Sequence, residues 1–326
     1  MILSSNSKNL KLCAELIRKD DIVAVPTETV YGLAGNALSE TAVRKIFEIK
    51  GRPLIDPLIV HCFDYTAALE LIVNNSLIDH LAKQFWPGPL TIIAQKKALI
   101  PDIVTAGLKS VAIRVPSQTE LQKLLKISKV PLAAPSANPF GYVSPTEASH
   151  VKRTLGEKIT AILDGGRTLH GVESTIIDAR NENKPLLLRY GPIDPIMLEQ
   201  HLNYPLLVQT TTRNENRAQN APGLLSKHYS PRARVHLVNQ TALVEAVKTI
   251  AGSQAIVSIK KSQKLIHHPG YHWLSEDGCL ETAANNLFAL LQNLDEQKYK
   301  EITIELAENS GIGLAINDRL KRAAAK

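Results

Sequence analysis

Short apolar runs separated by amphipathic stretches organise the first two hundred residues. Runs at 22–25, 58–63, 90–94, 111–115, 130–134, 161–163, 174–178 and 186–189 are too short for helices. They are rich in β-branched and other apolar residues, which predicts strands. Between the first two, Val43, Ile46 and Phe47 recur at helical spacing behind Ser39, a favoured cap, and before Gly51, a favoured stop. Ser117 with Glu120 has the spacing of a capping box and opens a further helix, as does Asp194 before Pro195. This alternation predicts an α/β fold over residues 1–204, with one mixed, twisted sheet flanked by helices. Periodicity fails over 205–233, where polar residues such as Thr210, Thr211, Thr212 and Asn214 cluster. It returns over 234–326. Runs at 235–238, 255–259 and 302–306 read as strands, and 243–250, 283–294 and 314–324 read as helices. A smaller, Rossmann-like α/β domain is predicted there.

Composition agrees with two globular domains. The chain has 326 residues, 44% hydrophobic and 21% charged, which excludes a mainly disordered, collagen-like or disulfide-framed chain. No apolar run approaches the roughly 20 residues that span a bilayer, so no membrane association is expected. The first residues lack the apolar core of a secretion signal. Cys13, Cys62 and Cys279 are far apart and odd in number, which fits a reducing, cytoplasmic setting.

The net charge of +7 is unevenly placed. Residues 1–200 hold 23 basic and 20 acidic side chains, and residues 235–326 hold ten of each. The excess sits between Arg213 and Arg234, where Arg213, Arg217, Lys227, Arg232 and Arg234 face Glu215 alone. A solvated tether is one reading of that run, and a segment that meets an anionic ligand is the other.

Standard nucleotide and hydrolase signatures are missing: there is no Walker A pattern, no HExxH and no GxSxG. Gly311-Ile312-Gly313-Leu314-Ala315-Ile316 is half a dinucleotide fingerprint, better explained as a tight strand-to-helix turn. His267-His268 has no partners that would make a metal site, and none is expected elsewhere. The first block carries a less common constellation. Pro26-Thr27-Glu28-Thr29-Val30-Tyr31-Gly32-Leu33 follows a strand directly, at the end where α/β proteins bind ligands. Lys50-Gly51-Arg52-Pro53 and Asp56-Pro57-Leu58 follow, with two cations suited to a polyphosphate. Next come Trp86-Pro87-Gly88-Pro89-Leu90-Thr91, Arg114-Val115-Pro116, Ala134-Pro135-Ser136-Ala137-Asn138, Gly171-Val172-Glu173-Ser174-Thr175 and Leu188-Arg189. Singly, each has a structural explanation. Arg114 suits a structural carboxylate as well as a ligand, and Ser144-Pro145-Thr146-Glu147 has the form of a capping box, so Ser144 is either a cap or a ligand hydroxyl.

In this order, PTETVYGL, KGRP, WPGPLT, APSAN and GVEST resemble the threonylcarbamoyl-AMP synthases, or YrdC-like family, over about residues 8–200. Pro222-Gly223, His228-Tyr229-Ser230-Pro231 and Gly311 to Arg319 resemble, more loosely, the linker and C-terminal domain of the family's longer form. The resemblance implies that L-threonine, bicarbonate and ATP, with Mg2+, give L-threonylcarbamoyl-adenylate and pyrophosphate. A separate transferase would carry the group to tRNA for N6-threonylcarbamoyladenosine, so tRNA is an indirect partner. The family motifs assign Lys50 and Arg52 to the phosphates as catalytic residues and Thr29, His61, Arg114 and Ser174 to threonine. They assign Asp56, Ser110, Ala134, Ser136, Asn138, Ser144, Arg189 and Tyr229 to ATP. Two departures stand out. Asp56 replaces the family's usual Asn, which puts a direct nucleotide contact there in doubt, and Tyr190 replaces a frequent Pro.

The residues agree with that chemistry. No Ser/His/Asp or Cys/His nucleophile is visible, so catalysis by positioning and charge is expected. The basic stretch is then expected to act as a lid, with Pro222-Gly223 supplying the bend and Tyr229 closing the site. A competing reading is a non-catalytic RNA- or tRNA-binding protein. Low aromatic content, 5%, and near-neutral charge over the first 200 residues weigh against it. A carbamoyl-phosphate enzyme of the hydrogenase-maturation kind would need zinc-finger cysteines.

Overall fold

Apolar runs too short to bury a helix face assemble instead into one large mixed sheet. The computed structural model describes residues 1–202, 205–209, 218–219, 221–223, 228–247 and 252–325. Its first sheet runs Ile2–Ser4, Ala161–Asp164, Val23–Val25, Gly32–Asn36, Leu132–Ala133, Ile59–His61, Ser110–Arg114, Leu90–Lys96, Thr175–Asp178, Leu186–Arg189 and Leu207–Val208, with Ile72–Val73 paired beside Leu90–Lys96. Ile59–His61 pairs parallel to Ser110–Arg114, setting His61 opposite Arg114. Thr175–Asp178 pairs parallel to Leu90–Lys96. The expected strands are present, with ends moved by no more than two residues. Helix Glu40–Lys50 starts at Ser39, whose side chain accepts from the Ala42 amide, and stops at left-handed Gly51.

Several elements were not foreseen. Helices Ser7–Arg18 and Ser76–Phe85 are capped by Asn6 and Asn75. Strand Gly32–Asn36 lacks the β-branched residues that mark strands. Its glycine has a packing reason: a Cβ on Gly35 would lie 2.7 Å from Ile22 Cδ1 and 3.3 Å from Ile46 Cδ1, so these side-chain ends would have to shift to admit one. Two expected caps shift. Gln118, not Ser117, caps helix Thr119–Ser128 by accepting from the Leu121 amide, and the Ser117 amide donates to Glu28. Helix Ala148–Leu155 begins behind Glu147 without a side-chain cap, so Ser144 does not cap it.

The second sheet is all parallel: Arg234–Val238, Glu301–Glu305, Gln254–Lys260 and Tyr271–Ser275. Helices Gln240–Ala246, Leu280–Glu296 and Gly313–Ala324 accompany it. Residues 248–250 of the first expected helix lie outside the described residues. A Cβ on Gly313 would sit 2.0 Å from the Glu308 carbonyl, and Gly311 has φ +49°. The half fingerprint is therefore a tight strand-to-helix turn.

The two units share a core. Val30, Val143 and Val172 of the first block, with Tyr229, pack in the same apolar cluster as Phe288, Leu291 and Ile316. The loops carrying the PTET and GVEST motifs thus rest directly on the C-terminal unit. Among the described residues, no helix is long and apolar enough to cross a membrane.

Candidate active site

The PTET turn builds one corner of a pocket. Thr27 Oγ1 accepts from the Thr29 and Val30 amides and donates to the Val30 carbonyl, which closes the turn on itself. Thr29 Oγ1 then faces inward and accepts from Arg114 Nη1 at 3.0 Å. Arg114, at the end of its strand, is fixed on two more sides, by Glu28 at 2.6 Å and by the Gly88 carbonyl at 3.1 Å. Burial pushes the Glu28 carboxyl up, but Arg114 and the Ser117 amide outweigh it and hold it below the usual range. So Arg114 does pair with a carboxylate and also lines the pocket: both readings of it hold. Beside it, His61 is fully buried. Burial and the Arg114 charge push its imidazole down to about 3, so it is neutral, and its Nδ1 has no hydrogen-bond partner among the described residues.

The opposite wall is made by Arg52, Arg189 and the segment around Tyr229. Arg189 Nη2 donates to Ser174 Oγ and its Nε to the Ser174 carbonyl, each at 3.0 Å. Its Nη1 donates to the Pro222 carbonyl at 3.1 Å. Arg52 donates to the carbonyls of Asp56 and Pro57 and pairs with the Asp56 carboxylate at 2.9 Å. Burial pushes Asp56 up and Arg52 down against their mutual attraction, so each charge is held by the other. Gly223 has φ +76°, and a Cβ there would come within 2.9 Å of the Tyr229 hydroxyl and 3.1 Å of Arg189. Glycine is what lets these two groups close on the chain. Tyr229, itself at φ +60°, is buried against Phe288 and lies 5.3 Å from the Arg319 guanidinium. Burial raises its hydroxyl to about 12, and burial with nearby Arg52 and Lys50 keeps His228 neutral.

The cavity that these walls surround is small, about 50 Å³, and opens to solvent. Three guanidinium groups and one carboxylate, Glu173, line it, which favours an anion. No three His, Cys, Asp or Glu side chains converge as a metal cage among the described residues.

A family model described as "Telomere recombination" matches residues 15–191, and one described as "Threonylcarbamoyl-AMP synthase, C-terminal domain" matches residues 193–325. The Pyrococcus abyssi threonylcarbamoyl-AMP synthase is 38% identical over 323 residues, 97% of this chain and 94% of its own length. The chain belongs to the threonylcarbamoyl-AMP synthase family. The Bacillus subtilis member is 37% identical over 330 residues, 99% of this chain and 94% of its own. The crystal structure of P. abyssi Sua5 complexed with L-threonine superposes with a TM-score of 0.90 at 34% identity, over 99% of this chain and 97% of that one.

Of the residues that the family motifs single out, Thr29, Arg52, His61, Arg114, Ala134, Ser136, Ser174, Arg189 and Tyr229 share this pocket's wall. Five do not line it. Lys50 turns inward and donates to the Ser136 and Asn138 carbonyls, both at 2.6 Å. Burial, with Arg52 beside it, holds its ammonium well below the usual value. It clamps the APSAN loop where a free point charge was expected. Asp56 lies beneath Arg52. Asn138 spends its Nδ2 on the Pro139 and Tyr142 carbonyls. Ser144 Oγ donates to Glu173 at 2.6 Å. Ser110 starts the strand that Arg114 ends, about 13 Å away at roughly 3.3 Å per residue.

The sequence reading missed Glu173 and His228 as individual wall residues, although the GVEST and HYSP motifs contained them. Of the expected lid, Pro222, Gly223, His228 and Tyr229 reach the pocket. Arg232 and Arg234 are exposed and do not line it, and Arg213, Glu215, Arg217 and Lys227 lie outside the described residues.

Proposed function

We propose that this chain makes L-threonylcarbamoyl-adenylate from L-threonine, bicarbonate and ATP, releasing pyrophosphate. The observation that carries this reading is the division of one buried pocket. A corner of amino-acid scale, Thr29, His61, Arg114 and Ser174, faces two further buried guanidinium groups, Arg52 and Arg189. The P. abyssi relative that superposes on this fold was crystallised with L-threonine. Arg114, already locked by Glu28 and Gly88, presents a fixed cation to the threonine carboxylate, and Thr29 adds a hydroxyl. Neutral His61 offers its unpartnered Nδ1 to the amino end or the side-chain hydroxyl.

The deprotonated amine takes up bicarbonate as a carbamate, with loss of water. A carbamate oxygen then bonds to the α-phosphorus, and the α–β bridging bond breaks with its electrons leaving on pyrophosphate. The chain is a nucleotidyltransferase in this sense. Arg52 and Arg189 stabilise charge on the phosphates, a role that needs positioning and no covalent enzyme intermediate. Ala134 and Ser136, on the loop clamped by Lys50, form wall for the nucleotide. The pocket's carboxylate, Glu173, and Asp56 beneath its wall are each engaged by an arginine. Magnesium is therefore assigned to the substrate, entering with the ATP phosphates. The Tyr229 segment excludes water, which protects a labile acyl-adenylate.

The product would pass to a transferase that acts on tRNA, in the cytoplasm, where free cysteines such as Cys13 and Cys62 stay reduced. The test is pyrophosphate release by the full chain with each substrate omitted in turn. Release should require threonine, bicarbonate and ATP together. Release that continues without threonine would remove the proposal.

A further inference from the structure

One side chain of the C-terminal unit, Arg319, stands directly behind the pocket wall. Arg319, on helix Gly313–Ala324, is fully buried, and every nitrogen of its guanidinium is engaged. Its Nε donates to Glu173 Oε2 at 2.7 Å, and its Nη2 donates to the Glu173 carbonyl at 3.3 Å and the Tyr190 carbonyl at 2.9 Å. Its Nη1 pairs with Asp318 at 2.7 Å, and Asp318 is in turn held by Arg322. The other oxygen of Glu173 accepts from Ser144 Oγ. The Ser144 carbonyl accepts from Gln292, also of the C-terminal unit, at 3.0 Å. The same guanidinium carbon lies 5.3 Å from the Tyr229 ring, within range for a cation over an aromatic face.

We propose that Arg319 is a positioning residue for the nucleotide half of the pocket: it orients Glu173, and through it Ser144, while holding the ring of Tyr229. The inference rests on the proposed synthase reaction. Its geometry is selective: none of Arg319's bonds goes to the side chain of Thr29, His61, Arg114 or Ser174, and the nearest approach to that corner is the Glu173 carbonyl before Ser174. Loosening Arg319 thus loosens the nucleotide wall more than the threonine corner. A fork with this many simultaneous partners cannot be replaced by a lysine point charge. The buried carboxylate it faces is costly to leave unpaired, which gives the extra domain a role in the reaction besides stability.

The test compares full-length Arg319→Lys, Glu173→Gln and the double variant by calorimetric binding of ATP and, separately, L-threonine. Asn285→Ala serves as control: its side chain donates to the Thr168 and Leu169 carbonyls across the same domain interface, away from the pocket. Arg319→Lys should weaken ATP about tenfold, the scale of coupling between directly bonded groups, while threonine binding stays within about twofold of wild type. In the Glu173→Gln background, Arg319→Lys should add less than about twofold, since its route is already cut. Asn285→Ala should lower the melting temperature and leave both affinities alone.

Equal losses for ATP and threonine would mark a merely structural role and overturn the proposal. So would a full, independent loss from Arg319→Lys in the Glu173→Gln background. If Arg319→Lys does not fold, Glu173→Gln alone decides: selective weakening of ATP supports the proposal, and equal weakening of both ligands overturns it. Loss of wild-type turnover's dependence on threonine would instead strike the proposed reaction, a different result in a different assay.

Discussion

Replacing Asp56 by asparagine should destabilise the ligand-free protein and tighten its grip on ATP. Asp56 is buried with its carboxylate 2.9 Å from Arg52 and none of its surface open to the pocket. It occupies the guanidinium that a phosphate would need. Unit charges about 4 Å apart attract by about 4 kcal/mol at an effective dielectric of about 20. Breaking one partner of a buried pair costs roughly 3–5 kcal/mol. Asparagine keeps the volume and one carbonyl oxygen for Arg52, so roughly 2–3 kcal/mol is expected in the absence of ligand. At roughly 2–4 °C per kcal/mol for a domain of this size, melting should fall by about 5–10 °C. With nucleotide bound the balance reverses, because Arg52 no longer divides its charge between a carboxylate and a phosphate. A tenfold gain in ATP affinity, about 1.4 kcal/mol, should add roughly 3–6 °C to the ATP-induced rise in melting temperature. Thermal melts of wild type and Asp56→Asn, with and without saturating ATP, give all four numbers. An ATP-induced rise that is equal in the two proteins, or smaller in the variant, would show that Arg52 does not meet the phosphates.

The remaining predictions use other parts of the site. Arg52→Ala should lower turnover by orders of magnitude and also cost about 3–5 kcal/mol of stability, since it strands Asp56; an unchanged melting temperature would contradict the buried pair. In competition assays, 2-aminobutyrate should be used poorly and serine better, because a site that hydrogen-bonds a hydroxyl rejects the analogue lacking it more strongly than one lacking a methyl; the reverse order would show that the pocket reads shape. Stability should fall as pH drops from about 6.5 toward 3, since His61 stays neutral when folded down to about 3 while the unfolded chain takes up its proton. His61→Gln should reduce that slope by about one proton, roughly 1.4 kcal/mol per pH unit, in urea melts at pH 4, 5 and 6. Tyr229→Ala should slow pyrophosphate release through weaker ATP binding and also leave the adenylate leaky, seen as product hydrolysis in the absence of any acceptor.

Much of this architecture was legible in the chain. The β-branched runs marked strands because nothing else explains three to six mostly apolar residues between breakers. The order of motifs marked the pocket. What stayed hidden is what depends on tertiary partners. Strand Gly32–Asn36 reads as a loop, because its glycines are explained only by tertiary neighbours, Ala134 beside Gly32 and Ile22 and Ile46 beside Gly35. Helices Ser7–Arg18 and Ser76–Phe85 carried their signal in Asn6 and Asn75 caps and in the spacing of Leu10, Ala14 and Ile17. Lys50 and Arg52 look like exposed cations in the sequence, yet one is bonded to two carbonyls and the other to Asp56. No local pattern couples Glu173 to Arg319 across 146 positions. That pairing also bears on a truncated first domain. Ending the chain near residue 204 would expose Val30, Val143 and Val172 and leave Glu173 without its cation, so such a fragment should aggregate or unfold more readily than the full chain.

The most direct measurement is mass spectrometry of the product formed by the full chain from threonine, ATP and bicarbonate carrying carbon-13. The expected species is an adenylate containing one threonine and one labelled carbon, formed in step with pyrophosphate. An adenylate of threonine without the labelled carbon, or pyrophosphate without any threonine-containing product, would contradict the proposed reaction.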